Sequence, residues 1–396
     1  MALLMKYHLI EVADSGSEKE FLIFPSRLYK NDPNYIRPFD EDVKAVFDRD
    51  KNKFFRNGAA KRWLLKDSNN STVGRVAAFY NQVSAKANEQ PTGGMGFFDC
   101  VNNKEASKIL FDACRDWLKD QGMEAMDGPI NFGERDNFWG CLVDGFHPPV
   151  FNMPYNFPYY KELFEDYGFQ NYFNQYTYHR GFEPGGLTPA MEEKAIRILN
   201  NPDYRFETIN LKQTDKYAED FMIIFNKAWA RFPGVKKLSK QHAVSLLRRM
   251  KPIIDPRLII YGYYKDEPVA FFIMIPDLNQ VIRNFNGNFN LINKLRLFYL
   301  LKFRKASDRV IGRIFGVVPE HQGKGVEVGL IKAFQKVILQ PGFHYKELEM
   351  NWIGDFNPTM MKVCEQIGAT IKKTHVTYRF LFDRTLPFKR AKRVNI

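Results

Sequence analysis

The apolar positions of this chain alternate between the two-residue period of strands and the helical period of 3.6. The order of elements they predict occurs twice. Residues 7–13 read as a short strand. Residues 19–29 follow at helical spacing and are stopped by Asn31-Asp32-Pro33, and residues 40–47 read as a helix that opens on acids, where the helix dipole favours them. Residues 60–66 and 72–80 are apolar or alternating runs joined by a turn of Asp, Ser and Asn, which is a hairpin signal. A strand is predicted at 96–101. An amphipathic helix follows at 105–121, with Ile109, Leu110, Ala113, Trp117 and Leu118 at helical spacing and Gly122 at its end. Residues 158–167 read as a shorter helix closed by Gly168, and 172–179 as a strand.

Residues 182–189 hold two Gly and two Pro and read as a linker. After them the order restarts: a strand at 206–211, helices at 217–232 and 240–250, and a hairpin of 258–264 with 268–274. A strand at 309–318, a helix at 326–338, a strand at 347–353 and a helix at 358–367 come next, with the last one or two strands at 370–382. Short pieces of the two halves also answer to each other. VGRVAAFY from Val73 resembles PVAFFIM from Pro268, and ELFEDYGF from Glu162 resembles VCEQIGA from Val363. An α/β chain of two repeated lobes, divided at 1–181 and 182–396, is the economical reading. The bland alternative is that α/β chains look alike at this level of detail.

Composition narrows the class. The 396 residues exceed one core of usual size, and 45% hydrophobic with 26% charged residues suits a soluble protein. The high aromatic fraction of 15% suits a large core or an apolar groove. Cys100, Cys114, Cys141 and Cys364 form no CxxC pair and no metal spacing with His. Reduced thiols in a cytoplasmic protein, without metal, are therefore expected. The apolar run at residues 1–5 is too short for a signal peptide, and no run reaches membrane-spanning length. The net charge of +13 is spread along the chain and matches no nucleic-acid module, so attraction for a phosphorylated cofactor fits it better than nucleic acid.

The most informative stretch is RIFGVVPEHQGKGVEVGLIKAF, from Arg313. An apolar strand runs into a loop with two glycines, and a helix starts directly after it. Glycines let the backbone approach a ligand, and free amides at a helix N-terminus point at negative charge, so the arrangement suits a pyrophosphate. A tight turn that needs glycine and binds nothing would read the same. The stretch, however, resembles motif A of the GNAT acyltransferase superfamily through Val317, Pro319, Gln322 and Gly325.

The resemblance implies two GNAT-like lobes in tandem, each a mixed, mostly antiparallel sheet flanked by helices, as in the N-myristoyltransferases and Fem-type aminoacyltransferases. It implies acetyl-CoA or a longer acyl-CoA as co-substrate. The arm would be held by the backbone of Phe315, Val317 and Val318, and the pyrophosphate by the amides of Gln322, Gly323, Lys324, Gly325 and Val326. Glu327 departs from the family's Gly or Ala; a carboxylate there must turn away or pair with Lys324. By the same resemblance Asn357 contacts the cofactor arm. Cys364 stands where the family has an acidic Tyr, and Tyr378 is a substitute acid. Glu349, Asn351 and Asp355 are candidates to take the amine proton. The N-terminal half has Cys100-Val101-Asn102-Asn103-Lys104-Glu105 at the loop position, with no glycine, which implies a lobe without a cofactor site.

The implied activity is transfer of an acyl group to an amine of a small molecule or peptide. A Fem-type enzyme using aminoacyl-tRNA, or a non-catalytic acyl-CoA-binding protein on this fold, would share these features. Two further segments stand out. One is GPINFGERD from Gly128, followed by Asn156. Its Glu134, Arg135 and Asp136, with Asn156, could bind a polar acceptor or merely tie down a loop. The other is 279–309, whose basic amphipathic pattern can lie on a membrane, cover an acyl chain or pack plainly.

Overall fold

The computed structural model describes residues 6–183, 187–229 and 237–392. The apolar start at 1–5, residues 184–186 of the expected linker and the expected helix end at 230–232 lie outside the described residues. The N-terminal half runs β1 (Tyr7–Glu11), α1 (Ser15–Leu28), α2 (Asp40–Phe47), β2 (Gly58–Asp67), β3 (Thr72–Asn81), α3 (Gln82–Ala85), β4 (Thr92–Cys100), α4 (Lys104–Asp120), β5 (Ala125–Gly128), β6 (Cys141–Asp144), α5 (Tyr160–Tyr167) and β7 (Gln170–Gly181). The C-terminal half runs α6 (Pro189–Leu199), β8 (Tyr204–Thr208), α7 (Thr214–Ala228), α8 (Lys240–Met250), β9 (Ile259–Tyr264), β10 (Glu267–Pro276), α9 (Asn279–Ile282), α10 (Leu291–Lys302), β11 (Arg309–Val317), α11 (Val326–Ile338), β12 (Glu347–Gly354), α12 (Pro358–Gln366) and β13 (Thr370–Leu381).

The order of elements is thus duplicated, as the hydrophobic pattern predicts. All the strands join one mixed sheet with the path β1-β2-β3-β4-β5-β13-β7-β12-β11-β10-β9-β8, and β6 pairs with β13. The path runs inward from β1 and β8 in matching steps, and the two halves meet at β13 and β7. There they exchange strands. β13, last in the C-terminal half, pairs with β5, whereas β7 pairs with β12. The cores follow the exchange. Val376, Tyr378 and Phe380 of β13 pack with Leu110, Phe111 and Phe164 of the N-terminal half. Tyr178 of β7 packs with Leu348, Met350 and Cys364.

Local chemistry explains several boundaries. Asp14 and Ser17 form a capping box that starts α1 four residues ahead of the periodic run. Asn103 caps α4 by accepting from the Ala106 amide. α6 lies partly in the stretch expected to be linker. Thr188-Pro189 opens it, with Pro at the first helical position, and Met191, Ala195 and Ile198 make its buried face. Residues 370–382 form the single strand β13 rather than two.

Candidate functional site

β11 and β12 pair in parallel only from Arg309↔Glu347 to Gly312↔Met350. Beyond Gly312, β11 continues beside β10 alone, through Phe315↔Phe272 and Val317↔Ala270. The two strands therefore part into a cleft, with Arg313, Ile314, Phe315, Gly316 and Val317 on one wall and Asn351 and Trp352 on the other. At the end of β11 a helical turn at Pro319–His321 leads to Gln322, whose Nε2 donates to the Val317 carbonyl at 3.1 Å and ties the loop back to the strand. Gly323 and Gly325 then take φ of 72° and 91°, a region that favours glycine. Gly325 is the N-cap of α11 and supplies no side-chain cap. The amides of Gly323, Lys324, Gly325, Val326 and Glu327 donate to no acceptor among the described residues. Five unspent donors at a helix N-terminus fit a pyrophosphate.

Lys324 is exposed and Glu327 is half-buried, and the two form no ion pair with each other. His321 hydrogen-bonds the Tyr204 hydroxyl through Nδ1 at 2.7 Å, and burial together with the charge of Lys324 lowers its pKa. This leaves the imidazole neutral beside the loop at neutral pH.

A loop from the N-terminal half closes the cleft. The Trp352 indole of β12 donates to the Arg135 carbonyl at 2.8 Å, and Arg313 of β11 pairs with Asp136 at 3.1 Å. The 131–136 loop thus touches both walls. Arg135 lies over the rings of Trp139 and Phe173, 5.5 and 5.8 Å from their centroids. Beneath the loop, the Trp139 indole donates to Thr377, whose hydroxyl donates to Gln175, both at 2.9 Å. The Asn351 side-chain oxygen is buried at the cleft without a hydrogen-bond partner among the described residues, and so is Gln175 Nε2. Glu134 pairs with Lys53. Asn156 spends its amide on the Leu142 N–H, the Leu142 carbonyl and the Phe157 carbonyl, so it clamps a loop and presents nothing to an acceptor.

The candidate proton-handling residues do not all gather here. Glu349 is fully buried and ion-paired to Lys373 at 2.5 Å, Lys372 at 2.9 Å and Arg309 at 3.4 Å. Burial opposes its charge, but these three cations outweigh burial and hold its carboxyl below the usual range. Such a carboxylate is a poor base. Asp355 pairs with Arg390 at 2.6 Å. Cys364 is buried with Sγ 3.9 Å from Met350 Sδ, and burial pushes its thiol up to about 12. It is core packing rather than a ready proton donor. Tyr378 lies in the N-terminal core, stacked on Phe164 and donating to Glu165 at 3.1 Å, because β13 crosses into that half. Asn357 accepts from the Met360 amide as the N-cap of α12. The composition of Arg313, Trp352, Lys373 and Arg309 gave no signal of their placement; it follows from strand pairing.

The equivalent cleft of the N-terminal half is filled. β4 and β5 pair only from Thr92↔Ala125 to Gly94↔Asp127. The chain then folds in, the Ile130 amide donates to the Met95 carbonyl at 2.8 Å, and a Cβ on Gly96 would lie 1.8 Å from the Ile130 carbonyl oxygen. The Tyr160 hydroxyl takes the Cys100 amide and the Tyr159 hydroxyl donates to the Cys100 carbonyl.

No family model matches the chain. Protein YghO of Escherichia coli (strain K12) is 26% identical over 376 residues, covering 91% of this chain and 92% of the relative. Bacterial ceramide synthase of Caulobacter vibrioides (strain NA1000 / CB15N) is 24% identical over 376 residues, covering 93% and 96%. Among solved structures the chain is similar to a tandem GNAT protein from the clavulanic acid biosynthesis pathway, at a TM-score of 0.53 and 11% identity over 95% of this chain and 98% of that one. The fold is that of the tandem GNAT proteins.

Proposed function

We propose that the chain is an N-acyltransferase that takes its acyl group from acyl-CoA at the C-terminal cleft and gives it to the amine of a long-chain acceptor. One observation carries the reading. A strand that leaves its neighbour at Gly312 runs directly into five free amides at the start of α11. The unpaired edge of β11 suits an amide-bearing arm, and the loop at 322–327 suits its diphosphate. Acyl-CoA would supply an activated carbonyl. The chain's own part is to hold the arm, place the amine and exclude water. The filled cleft of the N-terminal half leaves the C-terminal one for the donor, and the 131–136 loop forms the acceptor side. We assign Asn351 Oδ1 to an N–H of the incoming amine, since it is a buried acceptor with no protein partner. A long-chain amine is supported by the relative named for ceramide synthesis, a ceramide being an N-acylated long-chain amine. Exchange of these roles with an aminoacyl-tRNA donor would leave the amides of 323–327 without use.

The test is calorimetry with acetyl-CoA and palmitoyl-CoA on the intact protein and on Gly325→Trp, followed by thiol release on adding sphinganine or a short alkylamine. Saturable binding that the variant loses, with release faster on sphinganine, supports the reading. An intact protein that binds neither thioester would sink it and bring aminoacyl-tRNA forward as donor.

A further inference from the structure

The connection from β10 to β11 carries six cations, Arg283, Lys294, Arg296, Lys302, Arg304 and Lys305, and no acid between residues 278 and 307. Its helix α10 is seated on the protein by buried Leu297 and by Leu300 and Leu301, which pack on Ile36, Phe39, Val281 and Phe285. At the helical step of about 100° per residue these three anchors share one side. Leu291, Ile292, Leu295, Phe298, Tyr299 and Phe303 occupy an arc of roughly 140° on the other. These six are 42–73% exposed, and Phe303 meets Phe298 and Tyr299 ring to ring, so the patch is continuous. Lys294 and Arg296 stand at its two margins, where long cationic side chains can reach past an apolar surface to anionic groups. A helix packing plainly on the protein would bury this face, and a lid over the cleft would turn it inward. Here it faces water, at a cost that a partner would relieve.

We propose that α10 docks the protein on an anionic lipid bilayer. The apolar arc enters the boundary between headgroups and acyl chains, and Lys294, Arg296, Arg304 and Lys305 lie against lipid phosphates. Charge complementarity selects this occupant. A second copy of the chain, meeting the first through the same patch, would bring two sets of cations face to face, with no acid in the 278–307 stretch of either to offset them. The inference stands apart from acyl transfer, since vesicle binding can hold or fail whatever the protein does with acyl-CoA.

Flotation with phosphatidylcholine vesicles, with and without phosphatidylglycerol, tests it. The full chain is expected to float with the anionic vesicles, and less so at high salt, where screening weakens the attraction. Leu295→Glu/Phe298→Glu should lower that partition about tenfold or more. Arg296→Gln/Arg304→Gln/Lys305→Gln should lower it by a similar factor on anionic vesicles and leave neutral ones unaffected. The altered side chains are exposed, so an unchanged circular dichroism spectrum and an unchanged thermal unfolding midpoint would separate lost docking from lost folding. Failure of the intact protein to float at low salt, or flotation of both variants like the parent, overturns the proposal. A dimer that Leu295→Glu/Phe298→Glu dissociates, with no flotation, overturns it too and gives the face to a second copy.

Discussion

Gly325 holds a φ of 91° where the loop becomes a helix, and a Cβ there would meet only ordinary contacts with Lys194 and Ile198. The cost of a side chain is therefore conformational and falls on the amides that follow. Gly325→Ala is expected to weaken acyl-CoA binding about tenfold, equivalent to about 1.4 kcal/mol, while calorimetric unfolding shows a native fold. Asn351 and Cys364 should separate in kinetics. Asn351→Ala removes the unpartnered acceptor at the cleft, so kcat/KM should fall at least about tenfold with acyl-CoA affinity intact. Cys364→Ala removes a thiol that burial has pushed to about 12, so turnover should stay within about twofold while stability falls by about 1 kcal/mol. A loss of turnover on Cys364→Ala beyond tenfold would return the acid role to that thiol. The turn at 322–325 was legible in sequence because its geometry is local: glycines, a strand before and a helix after. Asn351 was legible in sequence only as one of three candidates to take the amine proton, and its lack of a hydrogen-bond partner among the described residues needed the packing of loop and strand.

At the scale of elements, buried polar side chains of β11, β12 and β13 form an ion-paired layer in the middle of the sheet. Glu349 of β12 reaches across β7 to Lys373 of β13, and Arg309 of β11 joins Glu347, Glu349 and Asp277. Asp277 accepts from the Phe151 amide, which ties the N-terminal half's long loop to β10. Lys373→Met takes away the shortest of the three ion pairs of Glu349 and leaves Lys372 and Arg309, so it should cost less in urea unfolding than the roughly 3 kcal/mol of a stranded buried charge, and Glu349→Leu/Lys373→Met should recover part of that cost. The same layer makes stability depend on pH. Burial pushes His375 down to about 4, below its unfolded value near 6.5. The stability this lends is complete above pH 6.5 and is lost as pH falls toward 4, at most about 3 kcal/mol. Burial pushes Asp277 up to about 6 despite Arg309, so its cost is present above pH 6 and is relieved as pH falls. Acid unfolding between pH 6.5 and 4 should accordingly flatten in His375→Gln and steepen in Asp277→Asn. Equal slopes in all three proteins would remove both groups from the account. None of this layer was legible in the sequence, where Glu349 and Lys373 stand 24 positions apart on different strands. β5 and β6, of four residues each, and α6, masked by the Gly and Pro before it, were also missed, whereas the longer periodic elements were found.

At the scale of the whole molecule the repeat was legible because each half repeats a local order of elements. The exchange of β7 and β13 was not, because nothing in a strand's own alternation names its neighbour. The exchange bears on how the chain divides. A cut between 181 and 182 follows the linker, but it gives β7 to the first fragment and β13 to the second. The fragment 182–396 would lose the neighbour that pairs with β12 from Glu347↔Gly181 to Gly354↔Gln175. It would also expose Val376, Tyr378 and Phe380, which belong in the other half's core. The fragment 1–181 would leave β5 without the strand that pairs it from Tyr378↔Gly128 to Leu381↔Ala125. Each fragment then has a bare sheet edge and an uncovered apolar face, the conditions for aggregation rather than independent folding. Expressed alone, each is expected to be insoluble or to lack native near-ultraviolet dichroism; expressed together, they should associate and recover it. The intact chain should unfold in one transition, with fluorescence and far-ultraviolet dichroism coincident, since neither core can open without taking a strand from the other. A soluble 182–396 fragment that still binds acyl-CoA would show that the C-terminal lobe completes its sheet alone, and that the exchanged strands do not bind the two halves into one cooperative unit.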